Sequence, residues 1–374
     1  MENENLVIEI EGTEADDLYP RLLSLEVEHD IELAAMFRLR FSLLLHQQDG
    51  SWTLLDDERL RIWKQVTMRL TGFADGDEEL IRGYITHVMP TFDSDPARCA
   101  LEIWGMDSSV LMDREEKLKD WPNKKDSDIA AEILNSYGFM PDVEDTEVIH
   151  DEALSTIIQR ETDMQFLKRL ALRNGFECYV AGESACFKKP GLNEPPQPLL
   201  SVHFGSETMV SRFSLTVNGL NQATVAMYQL DRMNKEVLET EINEGEQTLL
   251  GGEDAASLAG PSTNPGRVVV SRCGATGTPE MQALCRELYH QGTWLVKGEG
   301  EIQANQYGHI LQARKTVTIR GIGETYSGVY YVTHVTHLFT EDGYRQLFMV
   351  KRNALMPEGS ENFSASSSLL GGLT

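Results

Sequence analysis

The chain contains 374 residues, of which 41% are hydrophobic and 25% charged, so it can fill the cores of two or three packed units. Its 59 acidic residues against 33 basic ones give a net charge of -26. A surface this negative repels phosphate backbones and acidic lipids, so tight binding of nucleic acid is not expected. No apolar run approaches the roughly 18 residues of a membrane-spanning helix, and we expect no membrane insertion.

The five cysteines form no Cys-x-x-Cys pair and are odd in number. This pattern favours neither a disulfide framework nor a structural zinc site. The residues from Met1 to Gly12 alternate acidic with apolar side chains and lack the features of a secretory signal. We therefore expect synthesis and assembly in the cytoplasm, with no bound metal or cofactor.

Residues 1–115 read as strands that bury alternate side chains. The first strand lies in Met1–Gly12, and further strands lie in Tyr19–Leu45, Val66–Leu70, Gly83–Val88 and Cys99–Trp104. The predicted inward-facing residues of the second region are Leu23, Leu25, Val27, Phe37, Leu39, Phe41 and Leu43. The pattern predicts a closed or nearly closed β-barrel.

Residues 116–200 show helical spacing instead. Asp126, Ser127 and Asp128 offer capping oxygens before an apolar stripe that ends at Gly138. Thr162 or Asp163 can cap a second helix, which ends at Gly175 and is followed by a strand at Phe176–Val180. We expect an α/β module with two helices, and the proline-rich stretch 190–198 marks its end.

Residues 201–356 return to strand patterns. We expect Val210–Val217 and Thr224–Gln229 to pair across Asn218-Gly219. An acidic, glycine-rich surface loop is predicted at 236–265, and a short helix at 279–291, capped by Thr278. The tail 357–374 has no periodicity and is predicted to be flexible unless a neighbour holds it.

Two parts of the chain resemble each other. Val66-Thr67-Met68-Arg69 is followed by Tyr84-Ile85-Thr86-His87-Val88, and Val317-Thr318-Ile319-Arg320 by Tyr331-Val332-Thr333-His334-Val335. The order continues, because Leu101 and Ile103 before Asp107 match Leu347 and Met349 before Asn353. Strand propensity alone favours Val, Thr and Tyr, but it does not select a histidine. We therefore predict an α+β, mainly β fold with two similar antiparallel β-barrels and an inserted α/β module.

Several segments of the chain resemble the phage late control D family of tail hub proteins, which includes the hub portion of type VI secretion spike proteins. One is Gln159–Ala171 followed by Gly175-Phe176, and the other is Gly328–Val332 leading to His334–His337. Gly105–Asp107 and Asp126–Ala130 give weaker support. The resemblance covers roughly residues 18–353, and none of its motifs is catalytic.

The resemblance implies a homotrimer of paired barrels in a phage tail or contractile injection system, with partners in the inner tube, the tube initiator, the baseplate and the spike. Two similar barrels in each of three chains would form a pseudo-six-fold ring that joins a hexameric tube to a trimeric spike. The sequence shows no Gly-rich needle repeats after the second barrel, so a separate spike protein is expected. Gln312–Lys315 departs from the family's Gly-rich turn, which leaves the local register open.

The predicted assembly residues lie on strand faces in each barrel and on the second helix. They are Val66, Met68, Leu70, Val317, Ile319, Phe166, Leu167 and Leu170. His334 and His337 form an HxxH pattern, but residues three apart on a strand point to opposite faces and are not expected to share a metal. Cys178 and Cys186 could meet across a hairpin, although small buried side chains are favoured.

Two other functions remain open. A carbohydrate-binding adhesion module would show clustered aromatic residues, whereas the tryptophans are scattered at Trp52, Trp63, Trp104, Trp121 and Trp294. A tail-associated peptidoglycan hydrolase would need two carboxyl groups with well-separated pKa values. The acids lie mostly in charged runs such as Asp56–Glu58, and no nucleophile elbow or phosphate-binding loop occurs, so no enzymatic activity is expected.

Overall fold

The computed structural model describes residues 6–46, 48, 50–150, 152, 157–220, 222–231, 234–259, 266–271, 275, 277–361 and 363, with only the backbone at 222, 223 and 259. The fold is α+β and mainly β. Within these ranges every helix is too short or too polar to cross a bilayer. The described part of the chain does not include residues 1–5, 260–265, Cys273 or nearly all of the tail after 361. The predictions made for these residues therefore lie outside the described residues.

The first seven strands come from residues 6–107. They are β1 (Leu6–Ile10), β2 (Thr13–Glu14), β3 (Leu22–Asp30), β4 (Met36–Ser42), β5 (Gln65–Phe73), β6 (Gly76–Thr91) and β7 (Ala100–Asp107). Their ladder order is β3-β4-β7-β6-β5-β1-β2. The predicted alternation is confirmed except at Leu23, which is 36% exposed because a bulge in β3 turns Leu22 inward instead.

The middle segment combines two longer helices with short ladders. Its elements are β8 (Glu116–Trp121), β9 (Lys124–Lys125), α1 (Asp126–Ser136), β10 (Met140–Val143), β11 (Ile149–His150), β12 (Ile157–Thr162), α2 (Asp163–Asn174), β13 (Glu177–Ala181) and β14 (Ser184–Lys188). Thr162 caps α2 and Gly175 ends it in a left-handed conformation, as predicted. α1 begins earlier than expected, because Asp126 lies in its first turn and Lys125 is the cap residue.

The remaining elements run from residue 197 to 355. They are β15 (Gln197–Ser201), β16 (Val210–Val217), β17 (Gln222–Asp231), β18 (Glu236–Ile242), β19 (Glu253–Asp254), α3 (Ala255–Ala259), β20 (Gly266–Val270), α4 (Thr278–Gly292), β21 (Val296–Gln303), α5 (Ala304–Tyr307), β22 (Thr316–Arg320), β23 (Gly328–Thr340), β24 (Gly343–Arg352) and β25 (Ala354–Leu355). The helix predicted at 279–291 is confirmed as α4, although Thr278 is its first residue and not its cap.

Two predictions for this part of the chain are wrong. β16 does not pair with β17: it pairs with β21, while β17 lies between β18 and β20 in a separate three-stranded sheet. The segment predicted as a loop at 236–265 begins with strand β18. Its many acidic residues obscure the alternating pattern, in which Leu238 and Ile242 pack toward α4. In both cases packing against distant elements overrides local turn chemistry and composition.

One sheet of thirteen strands contains strands from both halves of the chain, the first half being residues 6–107 and the second half residues 197–355. The second half contributes β16-β21-β24-β23, with β22 between β23 and β15. β23 then pairs with β3 in an antiparallel ladder from His334–Asp30 to Phe339–Leu25. This ladder joins the two halves, so it decides how their surfaces are placed relative to each other.

Arg352 is fully buried at the end of β24 and donates hydrogen bonds to several backbone carbonyls. Its guanidinium reaches the carbonyl of Leu250 at 2.8 Å, that of Met356 at 2.9 Å, and those of Tyr326 and Ser327 at 3.3 Å. Burial lowers the pKa of this arginine. A single side chain thus satisfies acceptors from three separate segments of the second half.

Replacing Arg352 with leucine should lower the free energy of unfolding by about 3 kcal/mol, because the buried carbonyls lose their donors. R352K should recover less than half of that loss, since an ammonium group cannot reach all of the carbonyls. The matched control is R345L, which removes a half-exposed ion pair with Glu301 and should cost at most about 1 kcal/mol. Urea denaturation compares the three variants, and equal stability of R352L and R345L would contradict the structural role of Arg352.

Candidate assembly surface

The predicted repeat is present as two three-stranded meanders, β5-β6-β7 and β22-β23-β24, which pair in the same order. Each contains a bulge at the same threonine, Thr86 in β6 and Thr333 in β23. The Thr86 hydroxyl donates to the carbonyl of Trp104 at 3.3 Å. The Thr333 hydroxyl donates to the carbonyl of Met349 at 3.2 Å. The shared Thr-His pair therefore marks a shared backbone irregularity.

The turn before each meander is also repeated. Trp63 and Arg314 both adopt a left-handed conformation, with φ of 67° and 65°. The Arg314 position is where the sequence lacked the expected glycine turn, and the strand register is nevertheless the same in both halves. The Arg114 guanidinium lies 4.3 Å from the Trp63 ring, and that of Arg314 lies 4.1 Å from the Tyr179 ring. Each turn thus makes a cation–π contact, the first with Arg114, which lies just before β8, and the second with Tyr179 of β13.

The equivalence extends to two strands that the sequence comparison missed. β3 and β4 correspond to β16 and β21, and each pair has a bulge at its start, at Leu23 and at Ser211. Asp30 and Asn218 then end β3 and β16 with the same turn, in which the side-chain oxygen accepts the amide two residues later, at 2.7 and 3.0 Å. Only the alternating pattern and these two turn residues signalled the match.

The third strand of the repeat is corrected by one residue. Val88 pairs with Ile103 in the first meander, and its counterpart Val335 pairs with Phe348 in the second. Ile103 therefore corresponds to Phe348 and not to Met349, which is 49% exposed. A one-residue shift exchanges the two faces of a strand, so the sequence match had aligned buried with exposed residues.

Three histidines lie in the ladder that joins the halves. The ring of His334 contacts the Asp30 carboxylate at 3.1 Å, while His337 contacts the Tyr344 hydroxyl at 2.7 Å and meets the ring of His29 edge-on. Burial holds the pKa of His337 well below its usual value, and burial together with nearby Arg314 lowers that of His29 to about 4. Both imidazoles are therefore neutral at pH 7.

The first half leaves the equivalent edge unpaired. Residues 335–339 of β23 pair with β3, whereas no strand among the described residues pairs with the corresponding side of β6 at 88–92. Val335 and Phe339 are fully buried, but their counterparts Val88 and Phe92 are half-buried and 55% exposed. The free edge of β6 thus presents apolar side chains that are covered in the second half.

At the opposite end of the sheet, β16 also has one side without a partner strand among the described residues. β16 is an end strand, although its counterpart β3 lies between two partners. Leu25 and Val27 of β3 are fully buried, while their counterparts Phe213 and Leu215 are half-buried and Val217 is 41% exposed. The two free edges together form the candidate assembly surface, defined as residues 87–93 and 210–218.

The predicted assembly side chains lie elsewhere, in the cores of the single chain. Each of them is fully buried: Val66, Met68, Leu70, Val317, Ile319, Phe166, Leu167 and Leu170. A side chain without exposed area gains nothing by contact with another chain. The role of these residues in assembly therefore stays a prediction, and in the single chain they fill the cores, whereas the exposed edge residues carry no distinct sequence signal.

The other candidate sites are occupied by internal contacts. His334 and His337 face opposite sides of β23, as expected, and the described residues contain no cluster of three metal-binding side chains. Cys178 and Cys186 are buried free thiols whose strand partners are Phe187 and Tyr179. Cationic side chains cover four tryptophan rings, namely Trp63, Trp104, Trp121 and Trp294.

The chain is similar to one family model and to several solved structures. The model of the family described as the Alg8 N-terminal domain matches residues 2–341. A 43 kDa tail protein of prophage MuSo2 from Shewanella oneidensis has a TM-score of 0.70 at 11% identity, covering 94% of this chain and 99% of its own. A tail protein from Neisseria meningitidis has a TM-score of 0.67 at 12% identity, with 94% and 97% covered.

A component of the type VI secretion system of E. coli has a TM-score of 0.52 at 11% identity, covering 92% of this chain and 76% of its own. At such identities the likeness shows a shared fold. No curated protein matches the sequence. The matching family model is not that of the late control D family, so this narrower resemblance remains a prediction.

Acidification should weaken the joint between the halves. In the unfolded chain His29 and His337 regain a pKa near 6.5, so the unfolded state takes up protons before the folded state does as the pH falls. The free energy of unfolding should be highest above pH 6.5 and fall between about 6.5 and 4, by up to about 1.4 kcal/mol per pH unit for each histidine. Thermal unfolding at a series of pH values measures this slope.

The double variant H29N/H337Q should flatten the slope, and H46Q, which changes an exposed histidine outside the candidate assembly surface, is the matched control. Titration of Asp30 does not overlap the pH range in which the histidines titrate. Although burial raises its pKa, hydrogen bonds from His334 and from two amides lower it to about 2, so its contribution is lost only below pH 3.8. An unchanged slope in the double variant would refute the assignment to these rings.

Proposed function

We propose that this chain, which belongs to the Alg8 N-terminal domain family, is a structural hub subunit of a phage tail or contractile injection system. Three copies form a ring of six similar β-barrel units, two from each chain, with the α/β module of 116–200 on each copy. One face of the ring meets the hexameric inner tube, and the other meets a trimeric spike.

The observation that carries this proposal is the complementarity of the two free edges. Within one chain, β23 of the second half pairs with β3 of the first. The equivalent pairing between chains places the free edge of β6 against β16 of a neighbour. Each chain has one of each edge, so the same joint alternates within and between chains around a closed ring.

The side chains match when this joint uses the register of the internal one. Phe92 then lies opposite Phe213, and Val88 lies opposite Val217. Asp93, just after β6, lies opposite Arg212, whose 3.6 Å contact with Glu299 is solvent-exposed. Apolar pairs and an opposite-charge pair across neighbouring strands each stabilise a ladder by about 0.2–1 kcal/mol.

Burial of exposed apolar groups adds to this ladder. Phe92 is 55% exposed and Val217 41% exposed in the single chain. Covering such side chains contributes about 1.5–3 kcal/mol each when burial is complete. Pro90 also lies in this strand and lacks an amide hydrogen, which weakens backbone pairing with any strand and leaves the choice of partner to the side chains. The edge therefore favours one partner over general aggregation.

The fully buried strand residues have a supporting role in this assembly. Val66, Met68 and Leu70 hold β5 against β6, and Val317 and Ile319 hold β22 against β23. The helix residues Phe166, Leu167 and Leu170 fill the core of the middle segment. Their packing keeps both edges at the angle that the ring requires, without contact between chains.

The ring acts mechanically and not as an enzyme. It assembles in the cytoplasm with the spike, the tube and tube-initiator proteins and the baseplate proteins, and then becomes part of the particle. Two internal repeats match a six-fold tube, whereas features present once per chain match a three-fold spike. The likeness to tail proteins and to a type VI secretion component supports this place in the particle.

Charge reversal at the joint tests the proposal. D93R and R212D should each lower the fraction of trimer at least tenfold, because like charges then face each other, and the double variant D93R/R212D should restore it. Light scattering and native mass spectrometry of the full chain, alone and with its spike protein, measure the trimer. Negative-stain images should show a ring with six lobes.

L118D is the matched control, because Leu118 is 81% exposed but lies on the β8-β12 ribbon, away from both edges. Circular dichroism checks that each variant is folded. A chain that stays monomeric with and without the spike at all concentrations would refute the ring. Trimers that both single variants form as well as the wild type would refute this joint.

A further inference from the structure

The second half contains a unit that the first half lacks. Residues 219–295 lie between β16 and β21, whereas only residues 31–35 separate the equivalent strands β3 and β4. The unit has its own core, in which Val225 and Met227 of β17 pack on Met281 and Cys285 of α4. The equivalence of the two halves does not require it, so its exposed surface is available for another task.

The unit is a three-stranded sheet with one covered and one open face. α4 covers the inner face of β18-β17-β20. The open face exposes apolar side chains from all three strands, with Leu230 59%, Val237 66% and Val269 48% exposed. Leu230 and Val237 are direct cross-strand partners, so they form a continuous apolar patch near the tip of the hairpin.

β18 is an edge strand with different chemistry on its two sides. Among the described residues, β17 is the one strand that pairs with it. Val237, Glu239 and Glu241 alternate on the open face, and Leu238 and Ile242 are half-buried toward α4. Glu241 forms an ion pair with Arg267 at 2.7 Å, whereas Glu239 has no ion pair within the described part of the chain.

We propose that β18 binds a strand of a partner protein that carries lysine or arginine on one face and branched apolar residues on the other. The backbone of such a strand satisfies the free edge, its basic side chains pair with Glu239 and Glu241, and its apolar side chains extend the core over α4. The proposal goes beyond the ring, because it concerns a surface that the ring joint does not use.

A second copy of the chain is the less favourable occupant. Two β18 strands in antiparallel contact would bring the glutamates of one copy opposite those of the other, which is destabilising. The net charge of -26 adds long-range repulsion between copies. A basic strand gains from both features.

Two ten-residue peptides with blocked ends test the proposal on the full chain. One alternates valine with lysine, and the other alternates valine with glutamate. Calorimetry should show binding of the lysine peptide at least tenfold tighter than that of the glutamate peptide, and weakening of it as salt is raised. Hydrogen exchange should slow at the amides of β18 and not at those of β6 or β16.

E239K should weaken the lysine peptide at least tenfold and strengthen the glutamate peptide. E341K, at the exposed turn after β23, is the matched control and should change neither. Equal binding of both peptides, no binding, protection outside β18, or a dimer that E239K breaks would each overturn the proposal. None of these outcomes alters the ring test at Asp93 and Arg212, so the two proposals fail independently.

Discussion

The backbone of a β-strand has hydrogen-bonding groups on both sides, and the fold depends on where the second side of each central strand finds its partner. β23 meets β3 along six residue pairs, and this ladder makes one sheet out of two repeated halves. Among the described residues, one side of β6 and one side of β16 lack such a partner. The chain thus forms this joint once internally and leaves one copy of each of the two strand edges unpaired among the described residues.

The two copies of the repeat agree better in the positions of their backbone irregularities than in the identity of their side chains. The bulges at Thr86 and Thr333 and the left-handed turns at Trp63 and Arg314 occupy equivalent positions. Bulges set the local twist and the direction of the following side chains, so they must be kept when the strands keep their places. Side chains can change as long as alternation is preserved, which agrees with a TM-score of 0.70 at 11% identity to the Shewanella oneidensis tail protein.

The middle segment connects the halves in a second way. Its Tyr179 ring packs against Arg314 in the turn of the second half, and Arg114, just before β8, packs against Trp63 in the turn of the first half. α2 also contacts α4 through the ion pair of Arg173 with Glu280. The added unit of residues 219–295 thus contacts the middle segment as well as the second half.

The sequence by itself determined the mainly β class, the three larger helices and the correspondence of Val66 with Val317 and of Tyr84 with Tyr331. These rest on local properties: alternation, capping residues such as Thr162, and a rare histidine beside threonine. Tertiary structure alone decided the partner of β16, the strand hidden in the acidic residues of β18 and the register of Phe348. Strand pairing joins residues that are far apart in the chain. Whether an apolar side chain lies in the core or at a free edge therefore depends on a partner strand that the local sequence pattern does not identify.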